Sequence, residues 1–460
     1  MKHITLSIGL LFLFFSSIPF STAQIKDDAS SVSTMNLEAC IDYALSQNEN
    51  LKKAAIEVDL AEYLIQENKA IGLPQISAQA QFINNFKVQR TILPDGTLFG
   101  GPPGPIAVEF QPQYSASAGL TYNQLIFDFS YLVGLKAARA YKELTRRSSL
   151  SSQVDIAEAV AKAYYGVLIT RARLTLLDQN YARLDSLLRE TTAFYKNGFV
   201  EKIDVDRTEV AFNNVRSERQ KVVQLIDFSL KVLKFQMGMN LHDSLTLADD
   251  LALITLDSAA LQSNATVDYS KRPEYQLLQA RRDILALDVR YRRSTLYPSL
   301  VGFVNIGANM GGTRLGDVTS NSRWFQYGFF GFQLNIPIMN GFRTRQTIAK
   351  AKLELEKLSY DFEYFERGAD FQAEQAQNSL KVSLIDLDIQ KKNMDLAQEI
   401  SRTARIKYAN GVGTNLEIIN AETSYKEAEV NYYNALYNAI IAQVELQKAF
   451  GTLIDAKPVR

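Results

Sequence analysis

The sequence contains very little cysteine or histidine, which limits the chemistry that it can perform. Cys40 is the only cysteine, and His3 and His242 are the only histidines among 460 residues. A disulfide within the chain is therefore impossible, and catalytic or metal sites built from Cys and His side chains are close to excluded. The sequence offers no candidate metal site and no candidate cofactor site, and chemistry carried by carboxylates alone stays open at this point.

The chain also lacks an excess of charge of either sign, because 50 Lys and Arg residues balance 50 Asp and Glu residues. Without a basic excess or a charged tail, nothing in the composition favours a nucleic-acid partner. After residue 23, no apolar run approaches the ~20 residues that a membrane-spanning helix requires. Any membrane contact must therefore come from another kind of element.

The first residues have the features of an export signal. Lys2 precedes an apolar run from Ile4 to Phe15, and small residues follow at positions 21–23. This pattern predicts a signal peptide over residues 1–23 with a flexible leader over residues 24–35. The alternative is a transmembrane anchor, but the apolar run is too short for one.

Two turn sequences, 213 positions apart, share one pattern. Each has a Tyr, then Asn-Gly, then an acidic residue about one turn into the next helical pattern. Gly ends a helix readily because it adopts the left-handed conformation without steric cost. The pattern predicts two helix-turn-helix tips, at about residues 195–204 and 408–417.

Two segments of strict alternation, 75–82 and 114–123, differ from the helical patterns around them. Their even positions are apolar and their odd positions are polar or small, which is typical of strands with two unlike faces. We predict strands at about 75–89 and 113–127, and again in the second half at about 299–309 and 326–338. Loops rich in Gly and Pro join the strands of each pair.

The order of elements occurs twice, which predicts a duplicated fold. We place the first repeat at residues 36–238, a linker at 239–268, the second repeat at 269–450 and a tail at 451–460. Each repeat contains a long helical pattern, and one of about 65 residues would measure ~100 Å.

Four strands per chain cannot close a barrel, and unpaired strand edges cannot stay in hydrocarbon. Several chains must therefore share one barrel: two chains would give eight strands and three would give twelve. An ordinary soluble sheet is the alternative for these strands. The residues expected to face a water-filled interior are Gln75, Ser77, Gln79, Gln81, Ser115, Ser117, Thr121, Asn123, Gln333 and Asn335.

The chain resembles the TolC family of outer-membrane efflux proteins over residues 36–450. The motifs that carry the resemblance are the opening Leu37–Leu45 with Asn48, Leu73-Pro74-Gln75, Asn123–Asp128, Arg272-Pro273-Glu274, Asn335–Gly341 and the two turn sequences. The resemblance implies a mainly α protein with a membrane β-barrel: a homotrimer with twelve strands, continued by an α-helical tunnel in the periplasm. It also implies a location in the cell outer membrane.

The resemblance further implies partners and sites. The hairpin tips would dock a periplasmic adaptor that links the channel to an inner-membrane transporter, through Asn197, Gly198, Phe199, Asn410, Gly411 and Val412. A periplasmic gate would use Asp204, Tyr408 and Glu417. Glu417 also fits a capping box with Thr414, which is compatible with a gate role. Gly413 and Asn420 depart from the family's entrance pattern.

These features predict a passive exit duct of a tripartite efflux system. Protein export by a type I secretion machine is the alternative within transport, and the sequence does not name the substrate. A structural or adhesive coiled-coil protein is the alternative from another class. The strands that twice interrupt the helices count against it, and no compact pair of carboxylates suggests a glycosidase.

Overall fold

The computed structural model describes residues 33–249, 251, 266–319 and 324–454. The elements in chain order are β1 (Ser33–Met35), α1 (Leu37–Gln47), α2 (Glu49–Ile71), β2 (Gln75–Asn84), β3 (Arg90–Leu93), β4 (Ile106–Glu109), β5 (Tyr114–Asp128), α3 (Phe129–Lys196), α4 (Lys202–Met237), β6 (Leu245–Leu247), α5 (Pro273–Ser294), β7 (Ser299–Gly312), β8 (Phe325–Asn335), α6 (Arg343–Ala409) and α7 (Asn415–Ala449). The predicted signal peptide lies outside the described residues.

The main sheet has four antiparallel strands in the order β2-β5-β7-β8. The pairing between β5 and β7 joins the two halves of the chain, with Gly119 opposite Gly307. The sheet therefore combines both strand pairs in one layer. Its two outer strands, β2 and β8, each pair on one side only within the described chain.

Two helices are far longer than a globular core requires: α3 has 68 residues and α6 has 67. At ~1.5 Å per residue, each measures ~100 Å. Helix α3 packs against α4, and α6 packs against α7, so each half forms an antiparallel hairpin.

A cluster of buried side chains lies where α1, α3, α4 and α7 meet, and it includes Tyr164, Leu233, Met237 and Ile440. Within the described ranges, no helix combines the length and the apolar character needed to cross a membrane.

The helical pattern after Asn36 predicts one helix to about Gly72, but the structure contains two. The break falls at Asn48, whose backbone ends α1 and whose side-chain oxygen accepts a hydrogen bond from the Asn50 amide. Its side-chain nitrogen donates to the Gln236 carbonyl at 2.9 Å. Asn48 therefore caps α2 and binds α4, and the chain forms two helices here instead of one continuous helix.

The prediction of a flexible leader over residues 24–35 is wrong for its last three residues. Ser33–Met35 form β1, which pairs in parallel with β6 in the predicted linker. Strand pairing across more than 200 residues leaves no local signal beyond a short apolar run. The pairing places the start of the described chain beside the end of α4.

The strands also differ in extent from the prediction. Strand β2 ends at Asn84 rather than 89, and residues 90–93 instead pair with 106–109 as a hairpin within the predicted loop. Strand β7 continues to Gly312 because Tyr114 of β5 still pairs with it there. Strand β8 ends at Asn335 rather than 338, since Pro337 has no amide hydrogen for the ladder.

Candidate functional site

The two predicted hairpin tips have the same backbone geometry. Gly198 and Gly411 adopt positive φ angles of 78° and 73°, which end α3 and α6 with a left-handed residue. In both turns the preceding Asn folds back onto its own helix. Asn197 donates from its side chain to the Ala193 carbonyl, and Asn410 donates to the Ile406 carbonyl, each at 2.8 Å.

A largely exposed apolar side chain follows the glycine in each tip. Phe199 and Val412 are both 78% exposed. Their backbone amides are used, since each donates to a carbonyl of the preceding helix. A Cβ atom added at Gly198 or Gly411 would meet nothing within 4 Å, so these glycines are needed for their φ angle and not for space. The tips thus present two matched, exposed apolar residues.

Two buried hydrogen bonds connect the hairpins beside the tips. The Tyr408 hydroxyl lies 3.1 Å from the Thr191 hydroxyl and joins α6 to α3. The Asn415 side-chain nitrogen donates to the Thr208 hydroxyl at 3.0 Å and joins α7 to α4. Tyr408 is only 5% exposed, so it packs between helices of one chain and does not line a surface of that chain.

The two acidic residues predicted at the gate have different surroundings. Asp204 lies 3.6 Å from an Arg207 guanidinium nitrogen in the first turn of α4. Glu417 is exposed and completes a capping box: its amide donates to the Thr414 hydroxyl at 3.2 Å, and its carboxylate accepts from the Thr414 amide at 3.4 Å. Both carboxylates therefore lie at the hairpin-tip end of the helices.

Sequence reasoning missed a buried charged group between the hairpins. Glu422 on α7 is 2% exposed, yet its carboxylate binds Arg183 of α3 at 3.1 Å and Arg405 of α6 at 2.8 Å. The hydroxyl of Ser401 donates to it at 2.9 Å. The sequence contains no signal for this node, because Arg183 lies 239 positions away along the chain.

A second buried carboxylate, Glu429, lies two turns further along α7. It is 2% exposed, and one of its oxygens has no hydrogen-bond partner among the described residues. Burial raises the pKa of the Glu429 carboxyl, and Glu422 adds to this effect. The Tyr425 hydroxyl and the Arg183 charge oppose it. No group of three or more His, Cys, Asp or Glu side chains suited to a metal ion occurs in the described part of the chain.

A groove of about 550 Å³ runs between α4 and α7 next to the tips. Its apolar lining includes Ile203 and Val210 of α4, Leu416 and Ile419 of α7, and Leu184 of α3. The hairpin end of the molecule therefore offers an indented surface as well as the exposed tips.

At the opposite end of the helices, the main sheet has two unlike faces. In the paired registers, even-numbered residues share one face and odd-numbered residues share the other. The even face is apolar and exposed, with Ile76, Leu120, Ile306, Phe330, Phe332 and Leu334. The odd face includes Gln75, Ser77, Gln79, Ser117, Asn305 and Gln333. No Asp, Glu, Lys or Arg occurs in residues 75–84, 114–123, 299–312 or 325–335.

This arrangement defines a class of protein. Strands of 10 to 15 residues with an apolar outer face suit an outer membrane, and an uncharged polar face suits a water-filled interior. Helices of ~100 Å continue from the strands. The fold is that of an outer-membrane channel with a helical tunnel.

The chain belongs to the family described as "Outer membrane efflux protein", which matches residues 40–233 and 270–452. It is 22% identical over 444 residues to "Outer membrane protein TolC" of Vibrio cholerae, with 95% of each chain covered. It is also 22% identical to "Alkaline protease secretion protein AprF" of Pseudomonas aeruginosa, with 73% of this chain and 70% of AprF covered.

Solved structures show the same fold. The CmeC outer membrane channel of Campylobacter jejuni superimposes with a TM-score of 0.70 at 16% identity, covering 94% of this chain and 90% of CmeC. Channels of this family are trimeric and work with pumps, and the family is one of ducts and not of enzymes. The protein is therefore the outer-membrane component of an efflux system, with its helical tunnel in the periplasm.

Proposed function

We propose that three copies of this chain form one passive duct, which receives substrates from an inner-membrane transporter through a periplasmic adaptor. The adaptor contacts the two hairpin tips. The transporter supplies the energy, so this chain needs no catalytic residue. The observation that carries the docking role is the repeated tip geometry, with Phe199 and Val412 equally exposed.

The edges of the sheet support assembly of three copies. Strands β2 and β8 each have one unpaired edge in the described chain, and such edges cannot remain in hydrocarbon. Pairing β8 of one copy with β2 of the next satisfies both edges. Three copies give twelve strands, which enclose an interior wide enough for a channel, whereas eight strands leave an interior that side chains fill.

An apolar stripe on α6 supports the same assembly. Its side chains recur at intervals of four, seven and fourteen residues, so they follow one side of the helix as in a coiled-coil seam. All remain between 48% and 76% exposed in the single chain: Leu353, Tyr360, Tyr364, Phe371, Ile385, Ile389 and Leu396. A row of this kind requires a neighbouring helix, which a second copy of the chain provides.

The adaptor role is tested by substituting both tip glycines, Gly198→Val with Gly411→Val. A β-branched residue in a left-handed conformation costs on the order of 1–2 kcal/mol, so each turn must rearrange locally. We expect normal trimers that no longer capture the purified adaptor and no longer export substrate. Gly166→Val is the matched control, because this helical glycine in α3 also has open space around it. Unchanged capture and export in the double variant would reject docking through the tips.

The transporter that works with this duct determines which substrate is exported. AprF is named for protease secretion, so export of a protein by a type I machine is the second candidate. To distinguish efflux of small molecules from protein secretion, the transporter is co-purified with the trimer. The purified complex is then assayed for export of a small molecule and of an unfolded protein.

A further inference from the structure

We propose that aromatic rings on the inner face of β7 and β8 form a binding strip for neutral aromatic small molecules in transit through the barrel. The strip consists of Phe303, Phe325, Tyr327 and Phe329. The proposal rests on the proposed duct, since it requires the odd-numbered face of the sheet to line the conduit.

The composition of the two faces assigns this orientation. The even face has a continuous apolar surface that suits lipid, whereas the odd face is polar over β2 and β5. Only over β7 and β8 does the odd face become aromatic. Tyr327 is 40% exposed, Phe329 is 54% exposed and Phe325 is 69% exposed, so the rings are accessible from the interior.

Three of the four rings contact one another. Tyr327 stacks on Phe329 with ring centroids 6.2 Å apart and an angle of 24° between the planes. Phe329 meets Phe303 edge to face, also at 6.2 Å. These are the geometries that aromatic pairs prefer, so a further ring can extend the same arrangement.

Glycines beneath the rings let them lie close to the sheet. A Cβ atom on Gly307 would lie 2.7 Å from Cζ of Tyr327, and one on Gly331 would lie 2.8 Å from Cζ of Phe303. Side chains at these positions would push both rings away. Because the rings cover bare backbone on one side, their other sides remain available to a solute.

The lack of charge in the paired strands selects the ligand class. Residues 75–84, 114–123, 299–312 and 325–335 contain no Asp, Glu, Lys or Arg, so an ion gains no counter-charge there. A neutral aromatic solute gains contact with exposed ring faces, and a saturated solute of similar size lacks the π-system that the stacked geometry favours.

The experiment measures block of single-channel current by the full-length protein in planar bilayers. 2-Naphthol and decahydro-2-naphthol are added from the barrel side, and their apparent dissociation constants for block are compared. We expect stronger block by 2-naphthol, weakened about five-fold by Phe329→Leu or Tyr327→Leu. Phe330→Leu is the matched control, because Phe330 is on the even face of the same strand and is 78% exposed.

Two results would overturn the strip. Equal block by both solutes would show that stacking plays no part. Unchanged block in Phe329→Leu and Tyr327→Leu, with trimers confirmed by light scattering, would place the contact elsewhere. A particle of one or two chains in the same light-scattering measurement would instead remove the duct itself, and the strip with it.

Discussion

The Glu422 carboxylate on α7 accepts a hydrogen bond from Nε of Arg183 on α3 at 3.1 Å, although Glu422 is almost fully buried. Arg405 of α6 binds the other carboxylate oxygen at 2.8 Å. One side chain thus joins three of the four helices that form the two hairpins. Because the partners belong to both hairpins, this contact fixes one hairpin relative to the other near the periplasmic end.

Replacing Glu422 with Gln should destabilise the protein substantially. The substitution leaves Arg183 and Arg405 facing a neutral group. Because their side chains are 23% and 38% exposed, the cost should fall below that of breaking a fully buried ion pair, at about 1–2 kcal/mol. Thermal or chemical unfolding of the purified protein measures the loss. Glu399→Gln is the matched control, because Glu399 pairs with Arg402 on an exposed surface and should change stability little. Equal losses in the two variants would contradict the role of burial.

The buried Glu429 predicts a pH dependence of stability. Its pKa is raised above the ordinary value of 4.5, so folding favours the protonated carboxyl. The stabilisation from this group is complete below pH 4.5 and is lost as pH rises through the folded pKa. Glu429→Gln, which keeps a neutral side chain at every pH, should therefore melt higher than the parent at neutral pH and like the parent in acid. A difference that stays constant with pH, or matches that of the exposed Glu427→Gln, would refute this.

The exposed Glu417 allows capping to be separated from gating. Gln also serves in a capping box, so Glu417→Gln keeps the helix start and removes only the charge. If three copies of Glu417 surround the periplasmic entrance, the variant should lose cation selectivity in planar bilayers. Asp395→Gln is the control. Asp395 is also exposed, but it lies on α6 more than three helical turns before the end of that helix at the tip. A Gln variant that selects ions like the parent would leave Glu417 as a helix cap.

The topology can be tested by labelling single introduced cysteines. Cys40 is fully buried, and burial raises the pKa of its thiol to about 12, so it adds little background. Gly316→Cys lies in the loop between β7 and β8 and has open space around it, whereas Val412→Cys lies at a hairpin tip. A membrane-impermeant maleimide should label only position 316 on intact cells. It should label both positions after the outer membrane is disrupted, and the reverse order would overturn the orientation.

Periodicity in the sequence was sufficient to predict the four strands of the main sheet and the long helices. Alternation over residues 75–82 marks both faces of β2, and the Asn-Gly pairs mark the ends of α3 and α6. These signals are local, because each depends on neighbours within one element. Predictions of this kind were correct to within a few residues at most boundaries.

The parts that the sequence could not show depend on distant partners. The break at Asn48 needs the Gln236 carbonyl, the burial of Tyr408 needs Thr191, and the Glu422 node needs Arg183. Each partner lies between 188 and 239 positions away along the chain. A helical pattern shows which face of a helix is apolar, but not which helix will cover it.

The mass of the detergent-solubilised particle decides whether this chain can form a duct, since a duct requires that several chains share one barrel. Light scattering combined with refractive-index and absorbance detection gives the protein mass without the detergent. We expect three chains per particle, because the two unpaired sheet edges of each chain then find partners and twelve strands close one barrel. A particle of one or two chains would contradict it.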